Sequence, residues 1–158
     1  MQKQNSGERQ EILVWTDGSS HAKGGLPIGW GFVLTLDNYP IDANYGGKTR
    51  GTNNEAELTA AIQGLQAVKE RMEKFPELKK CQVVLVSDSQ YVLGLASGKY
   101  TPSKNVSLAK KVRALAKELN VKTRWVKGHS GVIWNDRVDS LAKRGKEMAS
   151  RQRETEST

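Results

Sequence analysis

Ile12-Leu13-Val14-Trp15-Thr16-Asp17-Gly18-Ser19-Ser20 opens as a compact apolar run and closes on an acid, a glycine and two hydroxyls. That is the pattern of a buried strand delivered into a turn. Downstream, Gly29 to Leu36 alternates apolar with small residues up to an Asp37-Asn38 turn, and Ile41 to Thr49 returns, so the first three strands form an antiparallel meander. From Thr52 the period changes. Leu58, Ala61, Ile62, Leu65, Val68 and Met72 recur at three- and four-residue steps, the stripe of an amphipathic helix that Pro76 ends. Val83-Val84-Leu85-Val86 is a second buried strand by its β-branched content, followed by a short helix over Ser89 to Leu95. A Gly/Pro/Ser loop (Ser97 to Asn105), a basic helix (Leu108 to Leu119), a strand (Thr123 to Val126), the loop Gly128-His129-Ser130-Gly131 and a last helix (Trp134 to Glu147) complete the order. This order predicts an α/β fold with a mixed five-stranded sheet, three antiparallel strands and then parallel ones, and helices on both faces.

A chain of 158 residues fits one domain. The patterned part is 11–147, and the flanks 1–10 and 148–158 are polar segments without periodic apolar positions, expected as tails. Lys and Arg number 25 against 17 Asp and Glu, and a net charge of +8 favours a polyanionic partner. The lone cysteine, Cys81, can form no internal disulfide, and no apolar stretch reaches the roughly 18–20 residues of a membrane helix. A cytoplasmic, monomeric protein without a membrane partner is therefore expected.

Ligands of open α/β sheets collect at the carboxyl ends of strands. Asp17 and Asp88 each follow a buried strand directly, and if those strands are parallel neighbours, both acids emerge at one sheet edge. Glu57 and Asp139 lie at the borders of the apolar stripes of the long and the last helix. Taken singly, each acid is equally at home as a turn residue or a helix cap. Together they suit a hard divalent cation, because one cysteine and two histidines cannot build a closed zinc site of the usual kind.

Five segments in order, Thr16-Asp-Gly-Ser19, Thr52-Asn-Asn-Glu-Ala-Glu-Leu58, Ser87-Asp-Ser-Gln-Tyr-Val92, Val126-Lys-Gly-His-Ser-Gly131 and Asn135-Asp-Arg-Val-Asp139, resemble the successive signature blocks of type 1 ribonuclease H and span about residues 11–147. The resemblance implies a ribonuclease H-like fold and an endonuclease that hydrolyses the RNA strand of RNA–DNA hybrids, leaving 3′-hydroxyl and 5′-phosphate ends. It implies that Asp17, Glu57, Asp88 and Asp139 hold two Mg2+ ions, with Mn2+ as a substitute, and that two such ions clamp an in-line displacement. His129 corresponds to a proton shuttle or product-release aid. Asn53, Asn54 and Gln90 correspond to minor-groove readers, Gly18, Ser19 and Ser20 to close backbone contacts, and Arg50, Thr52 and Asn105 to a DNA-phosphate pocket. A non-catalytic nucleic-acid-binding module and a DNA-acting nuclease on the same scaffold are the alternatives.

Three departures from the family pattern carry expectations of their own. The loop from Leu95 to Asn105 is too short for the extra basic helix with which some members grip the hybrid, and the basic segment Lys99 to Lys127 is the expected replacement. Some members place a tryptophan against the DNA sugar where this chain has Ala109; core packing is the expected role of Trp15, Trp30, Trp125 and Trp134. The ten residues before the first strand are also too few for a separate hybrid-binding domain.

Overall fold

The computed structural model describes residues 9–156. Its first strand, β1 (Glu11–Ser19), carries the opening apolar run through Asp17 and pairs antiparallel with β2 (Leu26–Leu36), which pairs antiparallel with β3 (Tyr39–Gly51). Asp37 and Asn38 both take positive φ, 51° and 67°, as a two-residue hairpin of type I′ requires. Thr52 then starts α1 (Asn53–Lys74): its hydroxyl accepts from Glu55 N–H while Glu55 returns to the Thr52 N–H, a reciprocal cap. The helix stops two residues ahead of Pro76. After a 3-10 turn (Pro76–Lys80) come β4 (Gln82–Ser87), α2 (Gln90–Ser97), α3 (Val106–Glu118), β5 (Lys122–Trp125) and α4 (Ile133–Glu156). The sheet order is β3-β2-β1-β4-β5, with β1–β4 and β4–β5 parallel.

Strand periodicity divides the core into two layers. Ile12 and Val14 of β1, Phe32 and Leu34 of β2, and Val83 and Leu85 of β4 face the layer formed with α1, α2 and α3. Trp15, Val33, Val84 and Val86 point the other way, against Val138 of α4. The α4 face has little room for side chains. A Cβ on Gly145 would lie 1.9 Å from the Gly46 carbonyl oxygen, and one on Gly29 2.0 Å from that of Ala142, so α4 meets β2 and β3 main chain to main chain.

Both flanks differ from expectation. Residues 1–8 and 157–158 of the expected tails lie outside the described residues, but Arg9 and Gln10 are tied down: the Arg9 guanidinium donates to Lys80 O, Gln82 Oε1 and Cys81 O, and Gln10 Nε2 to Asp37 Oδ2. The last helix, expected to end at Glu147, continues to Glu156, so the expected tail 148–158 is helical as far as that residue. The physical reason is tertiary. Ala149 is buried over Gly47, and Arg153 donates to the carbonyls of Gly25 and Thr49. A small side chain and a long polar one leave no apolar stripe to read.

Candidate active site

The parallel ladder of β1 and β4 runs from Glu11↔Gln82 to Trp15↔Val86, and the same offset carried two residues further sets Asp17 beside Asp88. Asp88 directly follows the end of β4, whereas Asp17, expected just past its strand, lies inside β1, two residues from its end and still paired with Gly31 of β2. Ser89, whose hydroxyl accepts from Val92 N–H, caps α2, while Ser89 N–H donates to Ser87 Oγ, so the chain around Asp88 is fixed on both sides. Its carbonyl accepts from the Trp125 indole N–H at 3.2 Å.

Glu57 reaches the same point from α1. Its Oε1 accepts from Gly18 N–H at 2.6 Å, and Gly18 allows the approach because a Cβ there would stand 2.6 Å from Ala56 C and Glu57 N. Gly18 is therefore a packing and hydrogen-bonding element of the site, whatever it does for substrate. Ligand atoms of Asp17, Glu57 and Asp88 lie within 4.8 Å of one another. Asp139 is the neighbour of this trio, its charge acting on both Asp17 and Asp88, but its Oδ2 is held by Lys143 Nζ at 3.0 Å, one turn along α4.

Burial of several acids together has an electrostatic consequence. Asp17 is 6% exposed; that burial, with the charges of Asp88 and Asp139, pushes its carboxyl up to about 7. Glu57 is driven well above the usual carboxylate range by burial and by the charges of Asp17 and Asp88. Asp88 also rises, chiefly through burial and then through Asp139, an effect that His129 opposes. The donor set fits hard cations: it is all oxygen, clustered, and costly to keep ionised without a positive charge nearby.

His129 sits in the loop between β5 and α4 with φ of +54°. The preceding Gly128 backs onto the site, since a Cβ there would lie 2.8 Å from Asp88 Oδ2. The histidine itself is exposed, beside the carboxylates without a hydrogen bond to them. Of the other residues singled out, Ser20 Oγ donates to Asn53 Oδ1 at 3.2 Å, which joins the β1–β2 loop to the start of α1. Asn54 and Gln90 are exposed in the first turns of α1 and α2. Arg50, Thr52 and Asn105 are not joined by any hydrogen bond among the described residues: Arg50 is the penultimate residue of β3, Thr52 caps α1, and Asn105 precedes α3 with φ of +50°.

Trp125 departs from its expected core role. It is 51% exposed and, with Gln90, Lys99 and Tyr100, lines a cleft of about 200 Å³ next to Asp88. Its contact with the Asp88 carbonyl escaped the sequence reading because a tryptophan at the end of a short strand gives no sign of which way it faces. Trp15 and Trp30 do pack in or against the core, and Trp134 is half-buried with its indole N–H on Asn38 Oδ1.

The RNase H family profile matches residues 9–147. The chain is 33% identical over 159 aligned residues to the ribonuclease H of Bordetella pertussis, covering 92% of this chain and 96% of that protein. Its identity to the ribonuclease H of Legionella pneumophila is 37% over 153 residues, covering 89% and 99%. Among solved structures, a ribonuclease H1 isolated from compost, crystallised in complex with an RNA/DNA hybrid, superposes with a TM-score of 0.72 at 21% identity and covers 87% of this chain and 98% of that one.

Proposed function

The chain belongs to the ribonuclease H family, endoribonucleases of RNA–DNA hybrids, and from that premise we propose that Asp17, Glu57, Asp88 and Asp139 are its catalytic carboxylates and hold two Mg2+ ions, for which Mn2+ can substitute. The supporting observation is the convergence of Asp17, Glu57 and Asp88 to within 4.8 Å at the carboxyl edge of β1 and β4, with Asp139 beside them. When bound, such ions activate water and stabilise the leaving 3′ oxygen of an in-line phosphodiester displacement, which gives 3′-hydroxyl and 5′-phosphate ends. Glu57 and Gly18 lock α1 to β1, Trp125 holds the Asp88 main chain, and the Gly128 loop brings His129 to the rim. Asn53, Asn54 and Gln90 face the hybrid's minor groove, where amides can recognise the RNA 2′-hydroxyl; Gly18, Ser19 and Ser20 approach the backbone, and Arg50, Thr52 and Asn105 take a DNA phosphate.

A cytoplasmic location and a monomeric state complete the proposed reading; among the described residues no helix is long and apolar enough to cross a membrane. Incubation with labelled hybrid, duplex RNA, duplex DNA and single strands, with and without Mg2+, tests the reading. Metal-dependent cut of the RNA in the hybrid alone supports it; cut of duplex DNA, or no cut, contradicts it.

His129→Ala is expected to lower kcat by about 100-fold or less without abolishing it, because general acid–base help is worth roughly 100- to 10,000-fold and an exposed loop side chain falls at the low end. Single-turnover rates across pH check it, and complete inactivity would mean that His129 orients something essential.

The basic segment contributes through fewer residues than its count suggests. Arg113 donates to Ala96 O, and Arg124 pairs with Glu11. Lys110 and Lys111 are exposed on α3. Lys110→Ala with Lys111→Ala is expected to raise KM for hybrid, leave kcat nearly unchanged, and flatten log affinity against log salt by roughly one to two units, about one per lost phosphate contact. An unchanged salt slope would assign these lysines to solvation and move the second anchor to Arg50.

A further inference from the structure

The loop joining β1 to β2 has no strand or helix of its own, is largely exposed, and carries Gly24 and Gly25 side by side. Such a segment is free to move unless something holds its main chain. Two cations of α4 hold it. Lys146 Nζ donates to Ser20 O at 3.4 Å, and Arg153 Nη1 donates to Gly25 O at 2.8 Å and to Thr49 O at 3.4 Å. Between these points Gly25 N–H donates to Gly51 O at 3.2 Å. Both ends of the loop are therefore tied to the last three turns of α4, and its Gly25 end also to the exit of β3.

These attachments flank the residues that the preceding section places against the hybrid. Ser20 follows Gly18 and Ser19 and bonds Asn53; Thr49 precedes Arg50 and Thr52. The last buried side chain of α4 is Ala149, so the turn beyond it adds nothing to the core, and Arg153 in that turn donates to one carbonyl of the loop and one of β3.

We propose that Lys146 and Arg153 are positioning residues for substrate: they brace the β1–β2 loop and the β3 exit from α4, so that the contacts to the two strands of the hybrid are ordered before binding. The proposal rests on the hybrid-contact assignment above. A loop ordered in advance carries no ordering cost at association, whereas a slack one does, and neither cation touches the carboxylates; loss of the brace therefore acts on KM rather than on the chemical step.

Arg153→Ala is expected to raise KM for an RNA–DNA hybrid by about three- to tenfold with kcat within about twofold, Lys146→Ala to do so less, and Arg153→Lys to recover most of the loss. Amide hydrogen exchange by NMR supplies a readout independent of cleavage. In Arg153→Ala, the Gly25 amide should exchange several-fold faster while the amides of Leu65 and Leu85 in the core keep wild-type rates. An unchanged KM, an equal fall in kcat, failure of Arg153→Lys to recover, or unchanged Gly25 exchange would each overturn the brace. Should the wild type not cleave hybrid at all, the functional reading fails, and Gly25 exchange still decides whether α4 holds the loop.

Discussion

Asp17→Asn is expected to abolish cleavage and to raise the melting temperature of the metal-free protein. Asp17 is the central acid, facing Glu57, Asp88 and Asp139 at once, so its loss removes the middle member of the proposed ligand set. A loss of at least about a thousandfold in kcat corresponds to about 4 kcal/mol of transition-state stabilisation, in the range expected for losing a metal ligand. Retention of more than about a tenth of the wild-type rate at saturating Mg2+ would contradict the assignment. The stability effect has the opposite sign. Asp17 titrates near 7 in the folded chain, against about 3.9 when unfolded, so the folded state holds the extra proton between those values. Metal-free wild type therefore loses stability as pH rises from about 4 to about 7, by something on the order of a few kcal/mol. The neutral amide removes that loss: metal-free melting at pH 8 should be several degrees higher in Asp17→Asn, and the two proteins should converge at pH 4. A melting difference that does not depend on pH would show that charge repulsion is not its source.

Gly145→Ala is expected to have the largest effect on folding. The added Cβ would need to occupy the position of the Gly46 carbonyl, 1.9 Å away, and no rotamer change relieves a clash between two main chains. The helix must lift from β2 and β3, at a cost of about 3 kcal/mol or more, or a fall in melting temperature of roughly 6–12 °C for a domain of this size. Because Asp139 lies six residues earlier on the same helix, cleavage should fall even at temperatures where the variant is fully folded. Met148→Ala serves as the control: that side chain is 48% exposed and its truncation should stay within about 0.5 kcal/mol. Equal melting temperatures for wild type and Gly145→Ala in thermal denaturation would disprove the tight contact.

Glycines of this kind are what sequence patterning misses. Ile12, Val83 and the stripe from Leu58 to Met72 announced their elements because apolar periodicity is a local property. The Asp37-Asn38 hairpin was legible for the same reason, since the turn type selects its residues. Gly29, Gly46 and Gly145 signal nothing until two distant segments are laid together. The carboxylates could be singled out one by one from their places at strand ends and stripe edges, but the Lys143 pairing of Asp139 and the indole support under Asp88 depend on which way side chains turn after packing. The end of α4 was lost to view because what fixes it is an arginine on carbonyls contributed by β3 and the β1–β2 loop.

The order of the strands has a consequence for synthesis. β1, β2 and β3 can pair as soon as they leave the ribosome, and β4 can join β1 once α1 has formed, so Asp17, Glu57 and Asp88 come together early. Asp139 arrives only with α4, which covers the second face of a sheet already laid down. At about 5–20 residues per second, the 68 residues from Asp88 to Glu156 (156 − 88) take roughly 3–14 seconds to emerge. A chain that folds in this order would hold a three-acid cluster for that interval, with Val84 and Val86 not yet covered by α4. Docking of the last helix therefore does two things at once, covering the second face of the sheet and bringing the fourth of the proposed carboxylates to the other three.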